Sequence, residues 1–364
     1  MIRFLNLLRW IPAFRNPSDR RSPGIVLTSI FAATALLWPF AAPVGAADDT
    51  SVSFELFPEF YSVLRHHDPA VQGQNGFWFR RINVTLDRAL SRSLSFRFKL
   101  EMSSSGDFET SALLVPFVKD AFLSCRLKGQ DLQVGIVATP TWENVESFWG
   151  YRALEKTPCD LQKLGCARDF GIALKGGLDA AGTVSYKIML GNGEGNNAET
   201  NKGKKGYAQV IVRPWKGFHI DLYADNDKRP KDTGTYSLYQ LFTGWEARWG
   251  RAAFLFARWE SRQGGVRDDR RLWSAFAVLK AGARAEVVLR FDRMPDPNPL
   301  GPGTAYIPFS DRAASSLVIA GLGWRLTEAI TLIPNLKHVF YDRAGDSSRP
   351  GPDTYVNLSA RLKF

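Results

Sequence analysis

The last ten residues constrain the fold more than any other segment. From Tyr355 the chain runs Tyr-Val-Asn-Leu-Ser-Ala-Arg-Leu-Lys-Phe. Val356, Leu358, Ala360, Leu362 and Phe364 therefore share one face, and Tyr355, Asn357, Ser359, Arg361 and Lys363 the other. This is a strand of membrane-spanning length, apolar on one side and polar on the other, that closes the polypeptide on an aromatic ring. A sheet that crosses a bilayer must join its last strand to its first, because an open edge finds no hydrogen-bond partner in hydrocarbon. An edge strand of a soluble sandwich shares the alternation but has no need of a terminal Phe.

The other end of the chain points to the same compartment. Arg3, Arg9, Arg15, Arg20 and Arg21 precede an apolar run from Ile25 to Phe40, followed by the small residues Val44-Gly45-Ala46. This reads as a cleaved secretory signal over residues 1–46, leaving 47–364 as the mature domain. A single membrane anchor is the rival reading, but Thr28, Ser29, Thr34 and Pro39 weaken the run as a spanning helix. No stretch after Phe40 approaches the ~18 to 20 apolar residues of a membrane helix, so a membrane protein made from this chain is a barrel. The mean hydropathy of −0.18 agrees, because barrel strands interleave lipid-facing and polar residues. Without the leader's five Arg and one Asp, 42 basic and 35 acidic residues remain. They occur singly within strands and not in clusters, which fits a hydrated lumen better than nucleic acid.

Alternating segments fill the mature chain with no internal domain boundary. Seven short turns fall at Ser91–Ser93, Lys128–Asp131, Asp179–Gly182, Trp215–Gly217, Trp249–Arg251, Ala281–Ala283 and Thr327–Ala329. Longer connections rich in Gly, Pro, Asn and Asp lie around 66–75, 103–110, 139–168, 192–205, 227–235, 261–269, 295–311 and 344–352. Short turns on one side and long loops on the other predict a transmembrane antiparallel β-barrel of about sixteen strands. Charges such as Arg97, Lys99, Glu101, Lys187, Arg213, Asp221, Arg290 and Asp292 must then face the interior, since one facing lipid at mid-bilayer costs about 2–4 kcal/mol. Trp and Tyr near strand ends, among them Tyr61, Trp78, Tyr207, Trp215, Trp245, Trp259, Trp324 and Tyr355, are expected to form interfacial girdles.

The block Gly76-Phe77-Trp78-Phe79-Arg80-Arg81-Ile82, then Gly135-Ile136-Val137-Ala138-Thr139-Pro140, Tyr151-Arg152-Ala153-Leu154-Glu155-Lys156 and Ala167-Arg168-Asp169-Phe170-Gly171, resembles phosphate-selective porins of the porin O and P type. The C-terminal strand, with Tyr355 and Phe364, is similar to the assembly signal of outer-membrane proteins read by the barrel-assembly machinery. The resemblance implies a homotrimer in the outer membrane of a Gram-negative bacterium, in contact with lipid and lipopolysaccharide, whose third loop folds inward. Phosphate selectivity is not implied, because Asp87, Glu101, Asp120, Asp221, Glu246, Glu286 and Asp292 interrupt the inward basic residues.

The third loop, 139–168, is the candidate site. Nearly thirty residues long and rich in aromatics, it exceeds an ordinary connection of about 4–6 residues. Folded inward, Glu143, Glu146, Arg152, Glu155 and Lys156 would line the constriction and face a basic wall of Arg81, Arg97, Lys99 and Arg126. An outer solvated cap is the alternative. Cys159 and Cys166 are expected to form a disulfide within this loop, in a compartment that permits one. No catalytic constellation, cofactor motif or metal-ligand cluster stands out; His66 and His67 fall in an outer loop and His219 and His338 in strands. The expectation is a weakly anion-selective diffusion channel for small hydrophilic solutes. A barrel-based enzyme and a structural or adhesive barrel are the alternatives.

Overall fold

The computed structural model describes residues 50–229 and 234–364; the expected leader lies outside the described residues. Sixteen strands form one closed antiparallel barrel in which each strand pairs with its sequence neighbours and the first pairs with the last. They are β1 (Thr50–Arg65), β2 (Asn75–Ala89), β3 (Leu94–Met102), β4 (Phe117–Leu127), β5 (Gln130–Ala138) and β6 (Arg168–Gly177). Next come β7 (Val184–Gly191), β8 (Lys204–Trp215), β9 (Phe218–Arg229), β10 (Gly234–Ala247) and β11 (Gly250–Gln263). The series ends with β12 (Val266–Lys280), β13 (Ala285–Met294), β14 (Ser315–Arg325), β15 (Ile330–Tyr341) and β16 (Asp353–Lys363). Two short helices, α1 (Glu143–Trp149) and α2 (Pro158–Leu161), lie in the third loop.

The terminal residue closes the seam. The Phe54 amide donates to the Phe364 carbonyl at 2.7 Å and the Phe364 amide returns a bond to the Phe54 carbonyl at 3.1 Å. The two rings stack 5.7 Å apart. Along β16 the alternation is inside out relative to a soluble protein: Val356 and Leu358 are exposed, while Asn357 and Ser359 are buried. Lipid would cover the first set and the lumen holds the second.

One long connection expected from sequence is instead a tight hairpin. β11 and β12 continue past the charged residues and meet at Gly264-Gly265, both at positive φ (56° and 82°), the conformation a two-residue hairpin requires. Two bulges matter more. Phe57 pairs with Arg81 but Pro58 with Phe79, so Arg80 is an extra residue in β2. Pro58 has no N–H for the ladder, which is where a bulge is least costly. In the same way Lys99 pairs with Asp120 and Leu100 with Val118, leaving Lys119 extra in β4. Each bulge turns a residue that strict alternation would aim at lipid into the barrel, and Arg80 and Lys119 are both buried.

The girdle expectation holds only in part. Trp215, Trp245 and Trp324 are exposed near the short-turn end. Tyr61, Trp78, Tyr207, Trp259 and Tyr355 instead pack on interior partners. Trp78 stacks on Tyr61 at 3.8 Å and donates to Glu59, and Tyr355 is fully buried with its ring edge toward His66. Tyr355 is therefore an interior residue at the loop end of β16, where it pairs with Val63 across the β1–β16 seam, and Phe364 lies at the other end of that seam.

Candidate functional site

The third loop folds into the barrel and crosses it. Its ends are zipped together by the Thr139 amide on the Ala167 carbonyl (3.1 Å) and the Thr139 hydroxyl on the Cys166 carbonyl (2.6 Å). Between them the loop lies on a bed of inward apolar side chains. Val145, Trp149, Leu154, Leu161 and Leu164 are buried in one cluster with Leu238, Phe242, Leu255, Leu272, Phe276, Ile319 and Ile333. Burying each such side chain contributes roughly 1.5–3 kcal/mol, enough to hold a loop against its lost entropy. Two glycines of β14 make room. A Cβ at Gly323 would meet the Tyr151 hydroxyl at 2.0 Å and one at Gly321 the Leu154 side chain at 2.8 Å.

Polar anchors run along the same wall. The Thr141 hydroxyl donates to the Tyr223 hydroxyl (2.7 Å) and the Asn144 amide to Asp221 (2.8 Å). Arg251 donates to the carbonyls of Phe148 (2.7 Å) and Trp149 (3.1 Å), and the Tyr151 hydroxyl to Glu286 (2.7 Å). Arg290 donates to the Lys156 carbonyl at 2.5 Å, and the Asn298 amide to the Gln162 carbonyl at 3.0 Å. At the tip, Glu155 is fully buried between Arg80 (2.5 Å) and Lys337 (3.0 Å), and Arg80 also meets Glu59 at 3.3 Å. Burial pushes the Glu155 carboxyl up, but Arg80 and Lys337 outweigh it and hold it below the ordinary carboxylate range.

Opposite this wall a cavity of about 330 Å³ remains between the loop and strands β2 to β4. Arg80, Arg81, Lys119 and Arg168 line it from the barrel side and Arg152 and Lys156 from the loop, against only three carboxylates, Glu101, Glu146 and Asp160. Arg81 and Lys119 share Glu101, at 2.8 Å and 2.5 Å, so that one carboxylate answers two cations. Arg168 pairs with Asp120. Glu146 pairs with Arg152 at 3.2 Å, and Arg152 also reaches Asp160 at 2.9 Å. Burial raises the Glu146 carboxyl, but Arg152, Arg81 and Lys119 prevail and hold it well below 4.5.

The expected site residues divide accordingly. Glu146, Arg152, Lys156 and Arg81 gather at the cavity. Glu155 is spent on anchoring the loop, and Glu143 faces Lys187 of β7 at 2.6 Å. Of the expected wall, Arg97 pairs with Asp87 at 2.6 Å toward the short-turn end, and Arg126 lies exposed beside Asp131 at the β4–β5 turn. Neither reaches the loop, because each sits nearer the opposite rim. Lys99 is half-buried and has Asp120, Arg168 and Arg81 as its charged neighbours. Arg80 and Lys119 were missed, since only the bulges turn them inward.

The expected disulfide is absent. Cys159 and Cys166 are free thiols: Cys159 donates to the Gln240 side chain of β10 (3.4 Å), while Cys166 lies 3.5 Å from the Tyr207 hydroxyl of β8. α2 carries Cys159 into the buried bed, and the chain returns to the opposite edge of β9 before Cys166.

No family model matches the sequence, and no curated protein does. The fold matches solved outer-membrane structures. The chain is similar to an anion-selective porin from Comamonas acidovorans, with TM-score 0.66 and 12% identity over 87% of this chain and 99% of that one. It is also similar to Salmonella typhi OmpF in complex with daunomycin, with TM-score 0.62 and 11% identity over 86% and 97%. For the outer-membrane channel DcaP of Acinetobacter baumannii the TM-score is 0.60, with 10% identity over 87% and 97%. At these identities the likeness is one of fold.

Proposed function

We propose that the chain is an outer-membrane diffusion channel for small hydrophilic solutes with a weak preference for anions. The observation that carries this reading is the charge of the cavity beside the inward loop, where six cations meet three carboxylates. Its preference is general and not directed at phosphate, because Arg81, Lys119 and Arg168 are compensated by Glu101 and Asp120 and no dense ladder of free cations results. The likeness to porins of the O and P type is accordingly one of architecture. Screening over a Debye length of about 8 Å makes the preference fall as salt rises. In a planar bilayer the protein should give large ohmic steps, with a KCl-gradient reversal potential of anionic sign. Clear cation selectivity would overturn the reading, and the absence of conductance would favour an enzymatic or structural barrel.

The same reading takes residues 1–46 as a leader removed on export and the assembled state as a trimer, a form in which one fold neighbour, OmpT of Vibrio cholerae, is described. Lipopolysaccharide is the partner of the outer face. Lys204, Lys228, Arg262 and Arg267 fall in one row across β8 to β12, joined through Thr235, above exposed Val210 and Leu222. Such a row suits phosphorylated lipid headgroups. Deleting Phe364 removes the Phe54 stack and both backbone bonds of the seam, and should reduce the heat-modifiable band on a gel.

A further inference from the structure

The sequence uses four histidines, and two of them, His66 and His67, leave β1 side by side with their rings 4.3 Å apart. Barrel closure brings Asp353, the first residue of β16, against them across 286 positions of sequence. Asp353 is fully buried, and its Oδ1 lies 3.0 Å from the His67 Nδ1. One ligand atom from each of the three residues falls within 4.8 Å of the others. His66 is only 6% exposed, and its Nε2 is buried without a hydrogen-bond partner. A buried ring nitrogen without a partner is rare and asks for an explanation.

We infer that His66, His67 and Asp353 form a binding site for a borderline divalent cation, with Zn²⁺ as its natural probe, at the loop end of the barrel seam. Two imidazoles and a carboxylate are a borderline donor set that suits Zn²⁺ and disfavours Mg²⁺. Around Zn²⁺, ligand atoms at about 2.0–2.2 Å sit roughly 3.3 Å from one another, so the His67 and Asp353 pair is already near the required spacing and His66 has up to about 1.5 Å to move. The surroundings orient the ligands. The Tyr341 hydroxyl donates to Asp353 Oδ2 at 2.5 Å, the His67 amide donates to Oδ1 at 2.7 Å, and the Asp68 carbonyl lies 3.2 Å from His66 Nδ1. The Asp68 amide also donates to His66 Nδ1 at 3.0 Å, so Asp68 engages Nδ1 from both sides and leaves Nε2 as the nitrogen available to an ion, which displaces the Nε2 proton where that tautomer is present. On binding, the ion takes the place of the proton between His67 Nδ1 and Asp353: a neutral ring carries its proton on Nε2 instead and an imidazolium releases one to solvent, so the bound ring is neutral in either case. The bound ion would staple the first loop to β16 where the barrel closes.

The test uses untagged full-length mature protein in detergent, dialysed against ZnCl₂ and then analysed for metal. One equivalent per chain is expected, and His66→Gln, which leaves the His67–Asp353 pair in place, should weaken binding at least about tenfold. His67→Gln should do the same, and the heat-modified gel band confirms that each variant is folded. The unfolding temperature of the unmodified protein should rise with Zn²⁺ and that of either variant should not. Sub-stoichiometric Zn²⁺, equal affinity in a folded variant, or Mg²⁺ binding as tight as Zn²⁺ would overturn the site. Channel conductance does not enter this measurement.

Discussion

The two sides of the barrel interior treat charge in opposite ways. From β9 to β15 the wall is apolar where the third loop rests, and its ionic groups are consumed by that loop: Asp221, Arg251, Glu286, Arg290 and Lys337 each bind a loop atom. From β2 to β4 Arg81 and Lys119 share the single carboxylate of Glu101, and the cavity stays open beside them. The difference lies in backbone register. Regular alternation on the first side supplies one inward residue in two, whereas the bulges at Arg80 and Lys119 supply two in succession. A bulge is therefore a means of concentrating charge without moving a strand.

The strongest way to break this contrast is to remove the residue that joins the two sides. Glu155 is buried between Arg80 of β2 and Lys337 of β15. Glu155→Ala leaves the buried Arg80 and Lys337 to share Glu59 alone, and truncating one partner of a buried pair costs about 3–5 kcal/mol. The expected result is a lower unfolding temperature in detergent, together with noisier and larger conductance steps as the loop tip detaches. A variant with unchanged stability and steps would mean that the apolar bed alone fixes the loop.

Selectivity sharpens the contrast. Lys119→Gln removes a bulge cation at the cavity, while Arg126→Gln removes an exposed one at the β4–β5 turn. A unit charge about 8 Å from a passing ion in water is worth about 0.5 kcal/mol, with opposite sign for anion and cation, so the first substitution should lower the anion-to-cation permeability ratio up to about fivefold. Arg126→Gln should leave reversal potentials unchanged. Equal effects would show that whole-barrel charge, and not the bulged wall, sets ion preference.

These residues also mark where the sequence is legible. The closing strand, the seven short turns and the inward charges follow from period-two alternation, which belongs to each strand by itself. Even the loop's bed leaves a trace, since Leu238 to Phe242, Phe254 to Ala257 and Leu272 to Val278 carry apolar residues on both faces where a water-lined wall would alternate. Arg80 and Lys119 leave no such trace, because a bulge is a relation between two strands and inverts the local parity. The same holds for His67 and Asp353, which only closure brings together. Cys159 and Cys166 misled because proximity in sequence says nothing of where a helical turn sends each thiol.

A pH titration tests the loop's acids. Arg152, Arg81 and Lys119 hold Glu146 below 4.5, and Arg80 and Lys337 hold Glu155 below it as well. For carboxyls lowered in the folded state, the stabilisation is complete above the unfolded value and is lost as pH falls through the folded one. The stability that these two carboxyls contribute should then be constant from pH 7 to about 5 and fall only in stronger acid, where loss of their charge raises anion preference. A fall in stability already complete at pH 5 would mean that these acids are not held ionised by their partners.

The smallest expected effect belongs to the thiols, and it is informative because it should be zero. Cys159 is 1% exposed in the bed under the loop, and burial pushes its thiol far above the ordinary value. Burial raises Cys166 likewise, against the weaker opposing influence of Lys205. Both therefore remain protonated at neutral pH; Cys159 is also inaccessible and such a thiol does not react, whereas Cys166 is partly exposed at the cavity. A polar maleimide added to the folded protein should leave Cys159 unlabelled, and Cys159 should react once the barrel is unfolded. Reducing agent should leave conductance and its noise unchanged, since there is no bond to open. Labelling of Cys159 in the folded barrel would show that the loop lifts from its bed on the labelling timescale, and the pinned wall would then be as open as the bulged one.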